Sequence, residues 1–165
     1  MSSDDQDWVL LAYRLPRVPS TPRSSIWRKL KRLGVLQLGD GVVALPDDPR
    51  TREQLEWVAE DVVDHHGQAQ LWVGRPLGAV ASAEVIAQLD EAVAAEYRVV
   101  IGEAATVATA DDATRRRVLG RLRRELHRIE ARDFFSPPAR ELAGQALDTL
   151  SGSDRVPTGP AAKTQ

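Results

Sequence analysis

Arginine dominates the chemistry this chain has on offer. Between residues 14 and 35 stand Arg14, Arg17, Arg23, Arg28, Lys29, Lys31 and Arg32, with no acid among them. On a helix, Arg28, Lys31 and Arg32 share one face, with Lys29 beside them, opposite an apolar stripe of Ile26, Trp27, Leu30 and Leu33. Such a face can contact phosphate, because each ion contact releases condensed counterions. It can equally be a solvated helix exterior. Arg23 is placed differently, four residues before Trp27 and so along the apolar stripe. A guanidinium there must reach out to solvent, pair with an acid or meet an anion, and an ion pair is the expectation.

A second basic block repeats this chemistry with stricter spacing. Arg117, Arg121, Arg124, Arg128 and Arg132 recur at intervals of four, three, four and four residues, which makes one stripe on a helix. Arg115, Arg116 and Arg123 widen it, and Glu125 is placed to neutralise part of it through Arg121 and Arg128. The stripe suits nucleic-acid phosphate. It also suits the acid-rich stretch 36–112 of this chain or a second one, where fifteen acids face four bases. Both partners stay open at this level.

The other reactive side chains assemble no site. Asp47 and Asp48 precede Pro49 and read as turn and helix-start residues. Asp61, Asp64, His65 and His66 resemble a metal cluster, but only Asp61 and His65 share a helix face, and two ligands are too few. His127 stands alone. No Gly-rich phosphate loop, nucleophile elbow or HExxH motif occurs. No catalytic residue, metal or cofactor is therefore assigned. Tyr13, Trp8, Trp27 and Trp72 are expected in the core.

The 165 residues contain no cysteine, which removes disulfides, thiolate metal sites and thiol catalysis. Neither a signal peptide nor a membrane span is legible, so a soluble cytoplasmic protein is expected. The formal charge of −2 conceals the two basic blocks in an otherwise acidic chain. That pattern suits a localised anionic partner, although arginine outnumbers lysine nineteen to three, as codon bias alone produces.

These side chains need a scaffold, and the apolar periodicity supplies one. Residues 8–15 (WVLLAYRL) read as a buried strand closed by Pro16. Thr21, as N-cap before Pro22, opens a helix that runs to Leu33 and stops at Gly34. Strands at 35–38 and 42–45 flank the turn Gly39-Asp40-Gly41. Thr51 and Gln54 form a capping box for a second helix, buried through Leu55, Val58, Ala59, Val62 and Val63 and ending at Gly67. A strand at 70–73 completes a ferredoxin-like βαββαβ unit over 8–75. Helices starting at Ser82, at Asp111 or Asp112, and at Ser136 then fill a helical extension over 82–150. The expected organisation is one α+β domain over 8–150, with disordered segments at 1–7 and 151–165.

The string YRLPRVPSTPRSSIWRKLKRLGVLQLGDGVVALP, residues 13–46, resembles the N-terminal domain of the bacterial chromate-resistance regulator family. The shared features are a strand ending in Leu-Pro, a Pro-Ser-x-Pro-Arg approach, a Trp-Arg-x-Leu-x-x-Leu-Gly helix and a hairpin closing on Leu-Pro. The resemblance continues through Thr51-Arg52-Glu53-Gln54 and Trp57, and returns at Arg121-Leu122 and Asp133-Phe134-Phe135. The hairpin is also similar to the middle domain of phenylacetate-pathway repressors and to small ferredoxin-like CRISPR-associated nucleases. Those nucleases carry an Asp at the end of the first strand, where this chain has Tyr13-Arg14.

The resemblance implies a cytoplasmic transcription regulator that senses chromate and controls a chromate efflux transporter. Longer family members add a C-terminal domain, which this chain is expected to lack. The matching positions expected to face phosphate or oxyanion are Arg14, Arg23, Arg28, Lys29 and Arg32. The leading expectation is a nucleic-acid-binding regulator, homodimeric through free sheet edges. Two alternatives stand beside it: a non-catalytic oxyanion-binding or adaptor protein, and a stress or detoxification enzyme with Tyr13 and Arg14 around a pocket.

Overall fold

The structure, a computed structural model, describes residues 6–152. Strand β1 (Trp8–Arg14) leads to helix α1 (Thr21–Leu33), strands β2 (Leu36–Gly39) and β3 (Val42–Pro46), helix α2 (Pro49–Asp64) and strand β4 (Gln68–Gly74). Three helices follow: α3 (Ala79–Thr106), α4 (Asp112–Glu130) and α5 (Pro138–Gly152). The fold is α+β, a ferredoxin-like sheet domain followed by a helical C-terminal half. The chain divides into two compact units between Asp90 and Glu91, within α3.

In the first unit the sheet order is β2-β3-β1-β4 with every pair antiparallel. Each helix therefore connects two strands that leave room for a third between them, which is the split βαβ arrangement. Val9 pairs with Leu45 and Leu11 with Val43, so these four share one sheet face, and all are buried. α2 packs on β1 and β4, and α1 packs on α2. Ile26 and Leu30 of α1 and Leu55, Val58 and Val62 of α2 supply the helices' buried side chains.

Local details depart from expectation for clear reasons. α1 is preceded by Ser20, not capped by Thr21. Ser20 is in a helical conformation that keeps its hydroxyl from accepting an amide of the first turn, and it makes no side-chain cap bond. α2 starts earlier than its Thr-x-x-Gln pattern suggested. Asp48 is the N-cap and Thr51 occupies the third helical position, because Pro49 pre-sets the first turn. The Asp48 carboxylate accepts from the Thr51 amide at 2.8 Å, and Thr51 Oγ1 accepts from the Asp48 amide at 3.0 Å. Val63, assigned to the buried side of α2, is 56 % exposed, one position beyond the buried Val62. Trp72, expected in the core, is 60 % exposed. It pairs with Leu10 on edge strand β4, on the face away from Val9 and Leu11.

α3 begins at Ala79, with buried Ser82 inside its first turn, where the Ser82 amide donates to the Gly78 carbonyl at 3.1 Å. α5 continues to Gly152, so Ser151 is helical. The remaining expected disorder, at 1–5 and 153–165, lies outside the described residues. Asp7 is held in place: its carbonyl accepts from the Asp47 amide at 2.8 Å, and its carboxylate pairs with Arg75.

The second unit is a helical cluster. Tyr97, Val100 and Ala104 of α3, Leu119, Leu122 and Ile129 of α4, and Ala143, Leu147 and Leu150 of α5 form its buried core. Tyr97 is completely buried, and its hydroxyl donates to Asp133 Oδ2 at 2.8 Å. Asp133 Oδ1 in turn accepts from the Ser136 amide at 2.7 Å, which fixes the approach to α5.

Candidate functional site

β1 ends in the sequence Tyr13-Arg14, and the chain around it folds into an open cleft. Two glycines allow this crowding. The Tyr13 amide donates to the Gly41 carbonyl at 2.7 Å, and Gly41, at φ 74°, is so close that a Cβ there would lie 2.3 Å from the Tyr13 carbonyl oxygen. On the other side, a Cβ on Gly67 would meet the Arg14 carbonyl oxygen. The hairpin turn and the turn between α2 and β4 thereby clamp the end of β1, where Arg14 lies.

The cleft measures about 1060 Å³. Arg14, Arg17 and Arg23 line it, with Tyr13, Trp27 and Asp40 among its other walls. None of the three guanidinium groups has a hydrogen-bond or ion-pair partner among the described residues. Burial pushes the Tyr13 phenol up from its ordinary value, and the Arg23 charge works in the opposite direction. Three arginines against the single carboxylate of Asp40 leave the cleft positive.

Of the five positions expected from the first basic block, the fold brings two together here, Arg14 and Arg23. Arg23 makes no ion pair among the described residues, so the expected acidic partner is replaced by the open cleft. Lys29 is elsewhere, paired with Asp61 of α2. Arg28 Nε donates back to the Ser24 carbonyl at 3.3 Å, and Arg32 is exposed on α1. Arg17 and His66 were not singled out for this site. Arg17 sits in the stiff loop after β1, and His66 reaches the cleft through a left-handed turn at φ 60° after α2. Neither has a periodicity that would announce it.

The α4 stripe divides into engaged and free arginines. Arg121 pairs with Glu103 and Arg132 with Glu96, both on α3, and Arg128 pairs with Glu125 on its own helix. The acidic stretch of this same chain thus occupies part of the stripe. Arg117 and Arg124 are exposed with no partner among the described residues. Among those residues no group of three or more His, Asp or Glu side chains is placed to hold a metal ion, and no helix is long and apolar enough to cross a membrane.

Comparison with known proteins places this geometry in context. The family model described as Protein ChrB, N-terminal, matches residues 23–110. Protein ChrB of Cupriavidus metallidurans is 33% identical over 136 residues, an alignment covering 81% of this chain and 42% of that protein. The chain therefore spans less than half the length of this curated relative. No solved structure matches.

Proposed function

The chain belongs to the ChrB family, through that family's N-terminal domain; from this premise we propose that it is a chromate-resistance-associated transcriptional regulator that binds nucleic acid through its arginine-rich surfaces. One observation carries the reading. Acids outnumber bases in this chain, 24 to 22, yet Arg14, Arg17, Arg23, Arg117 and Arg124 have no partner among the described residues. Arginines left unpaired amid so many carboxylates are available to an external anion.

The two surfaces have different shapes and so different roles. α4 presents Arg117 and Arg124 on a convex helix, with exposed Arg116 and Arg123 nearby, which suits the regularly spaced phosphates of a duplex. The cleft of the first unit is concave, so it is the sensor's anion pocket, open to chromate or another oxyanion. Homodimerisation through the outermost strands β2 and β4 completes the proposal. The second reading, a non-catalytic oxyanion-binding protein, rests on the cleft alone. An enzyme of the nuclease kind is disfavoured by Tyr13-Arg14 where such proteins carry an Asp.

Fluorescence anisotropy tests the proposal, with DNA from upstream of the protein's own gene and scrambled DNA at two salt concentrations, with and without chromate. Tighter binding to its own DNA, weakened by salt and released by chromate, is the expected result. Absence of binding to either DNA would sink the regulator reading and leave the oxyanion-binding one.

A further inference from the structure

The size and lining of the cleft ask for more than a tetrahedral oxyanion. Ligand pockets of about 300–1,000 Å³ hold whole organic molecules, and this cleft measures about 1060 Å³. A four-oxygen anion would fill a small part of it. Two further features have no use for such an ion. Trp27 lines the cleft beside the arginines, with Lys31 Nζ 5.5 Å from its ring centroid. Asp40 also lines it and has no partner among the described residues. Asp40 is exposed, and its carboxylate can accept a hydrogen bond from an N–H or O–H donor, which a deprotonated inorganic oxyanion lacks.

We infer that the cleft is a nucleotide site, taking the phosphate on Arg14, Arg17 and Arg23 and the base against Trp27. Guanidinium groups match phosphate oxygens in bidentate geometry. A half-buried indole offers the π-surface on which a nucleobase stacks. Ribose hydroxyls and base N–H groups are the donors that Asp40 accepts. The inference rests on the anion reading of the cleft and names its ligand class. The same chemistry is carried by a free mononucleotide and by an unpaired nucleotide of a nucleic acid.

Isothermal titration of the full chain with inorganic phosphate, ribose 5-phosphate, adenosine monophosphate and a short single-stranded oligonucleotide tests it. The mononucleotide should bind at least about tenfold tighter than phosphate or ribose 5-phosphate, since base–aromatic stacking contributes on that scale. Trp27→Leu should erase that preference, while Trp27→Phe, which keeps a ring, retains most of it. Arg23→Ala and Arg14→Ala, both at exposed positions, should weaken every phosphate ligand, with circular dichroism confirming the fold. If the oligonucleotide binds more tightly and displaces the mononucleotide, the source is nucleic acid; the reverse order makes it the free nucleotide. Equal affinity for phosphate and mononucleotide would overturn the nucleotide site and leave the anion pocket standing. Binding of none of the four would overturn both.

Discussion

A Cβ added to Gly67 would stand 2.6 Å from the carbonyl oxygen of Arg14. The same Cβ would meet the Val62 carbonyl oxygen at 2.8 Å, so backbone encloses it on two sides. The turn between α2 and β4 is thus pressed against the end of β1, and the cleft's first arginine takes its position from a glycine more than fifty residues away. Gly67→Ala should cost about 1–3 kcal/mol, the usual scale for forced overpacking. It should also weaken anion binding by displacing Arg14. Urea unfolding and phosphate titration of one preparation measure both effects, and full stability with wild-type binding would refute the clamp.

The acid limb of stability should report Asp47. Its carboxylate receives Arg52 Nε at 2.5 Å and Nη2 at 2.6 Å, and this hydrogen bonding, ahead of opposing burial, holds it below the usual carboxylate range. A depressed folded value means the pair stabilises fully above the unfolded value of 3.8 and is lost as pH falls through the folded one. Arg52→Gln should therefore flatten the loss of thermal stability below about pH 4. An unchanged acid limb would show that the pair contributes nothing.

Removing the cap of α2 is a separate test of the same turn. Asp48→Ala loses the bond to the Thr51 amide, and a cost of about 1 kcal/mol is expected. Thr51→Val should cost more, because Thr51 is completely buried and its hydroxyl also donates to the Pro46 carbonyl at 2.6 Å. Denaturant melts of the two variants set the order.

Tyr97 should govern the alkaline limb. Burial first, and then its hydrogen bond to Asp133, raise its value well above the ordinary 10.0. A raised folded value means the unfolded chain gives up its proton first. Stability from this group is therefore complete below pH 10.0 and declines as pH rises further. Tyr97→Phe should remove that decline and cost about 2 kcal/mol at neutral pH, because the amide donors reach Asp133 Oδ1 and the buried Oδ2 keeps only Arg140 at 3.5 Å. Melting curves across the alkaline range distinguish the two effects.

On α4, free and engaged arginines should separate by salt. Arg117→Ala with Arg124→Ala should reduce the slope of log affinity against log salt by about 2, one per lost phosphate contact. Arg121→Ala, whose guanidinium is tied to Glu103, should change that slope less. Equal effects would mean that the ion pairs open on DNA.

The elements were legible because each carries its own period. β1 is a run of apolar and aromatic residues from Trp8 to Tyr13, α4 repeats Leu119, Leu122, Leu126 and Ile129 at helical spacing, and Gly39-Asp40-Gly41 marks the hairpin. The antiparallel ferredoxin-like order follows from that succession of elements and the handedness of crossovers. Capping residues were misplaced by a few positions, since Thr51 has the same sequence signature at the N-cap and at the third helical position. Trp72 was misjudged because a strand's period reveals two faces without saying which is covered.

The sequence by itself determined which residues carry charge, which face of each helix is apolar, and the family to which the chain belongs. Only the tertiary structure decided which charges are free. Lys29 finds Asp61 thirty-two residues away, Arg121 finds Glu103 and Arg132 finds Glu96, while Arg14, Arg17 and Arg23 line a cleft whose single acid, Asp40, pairs with none of them. Pairing is a matter of distance in space. Helical and strand periodicities fix neighbours only within one element, so an arginine's partner on another element follows from packing alone.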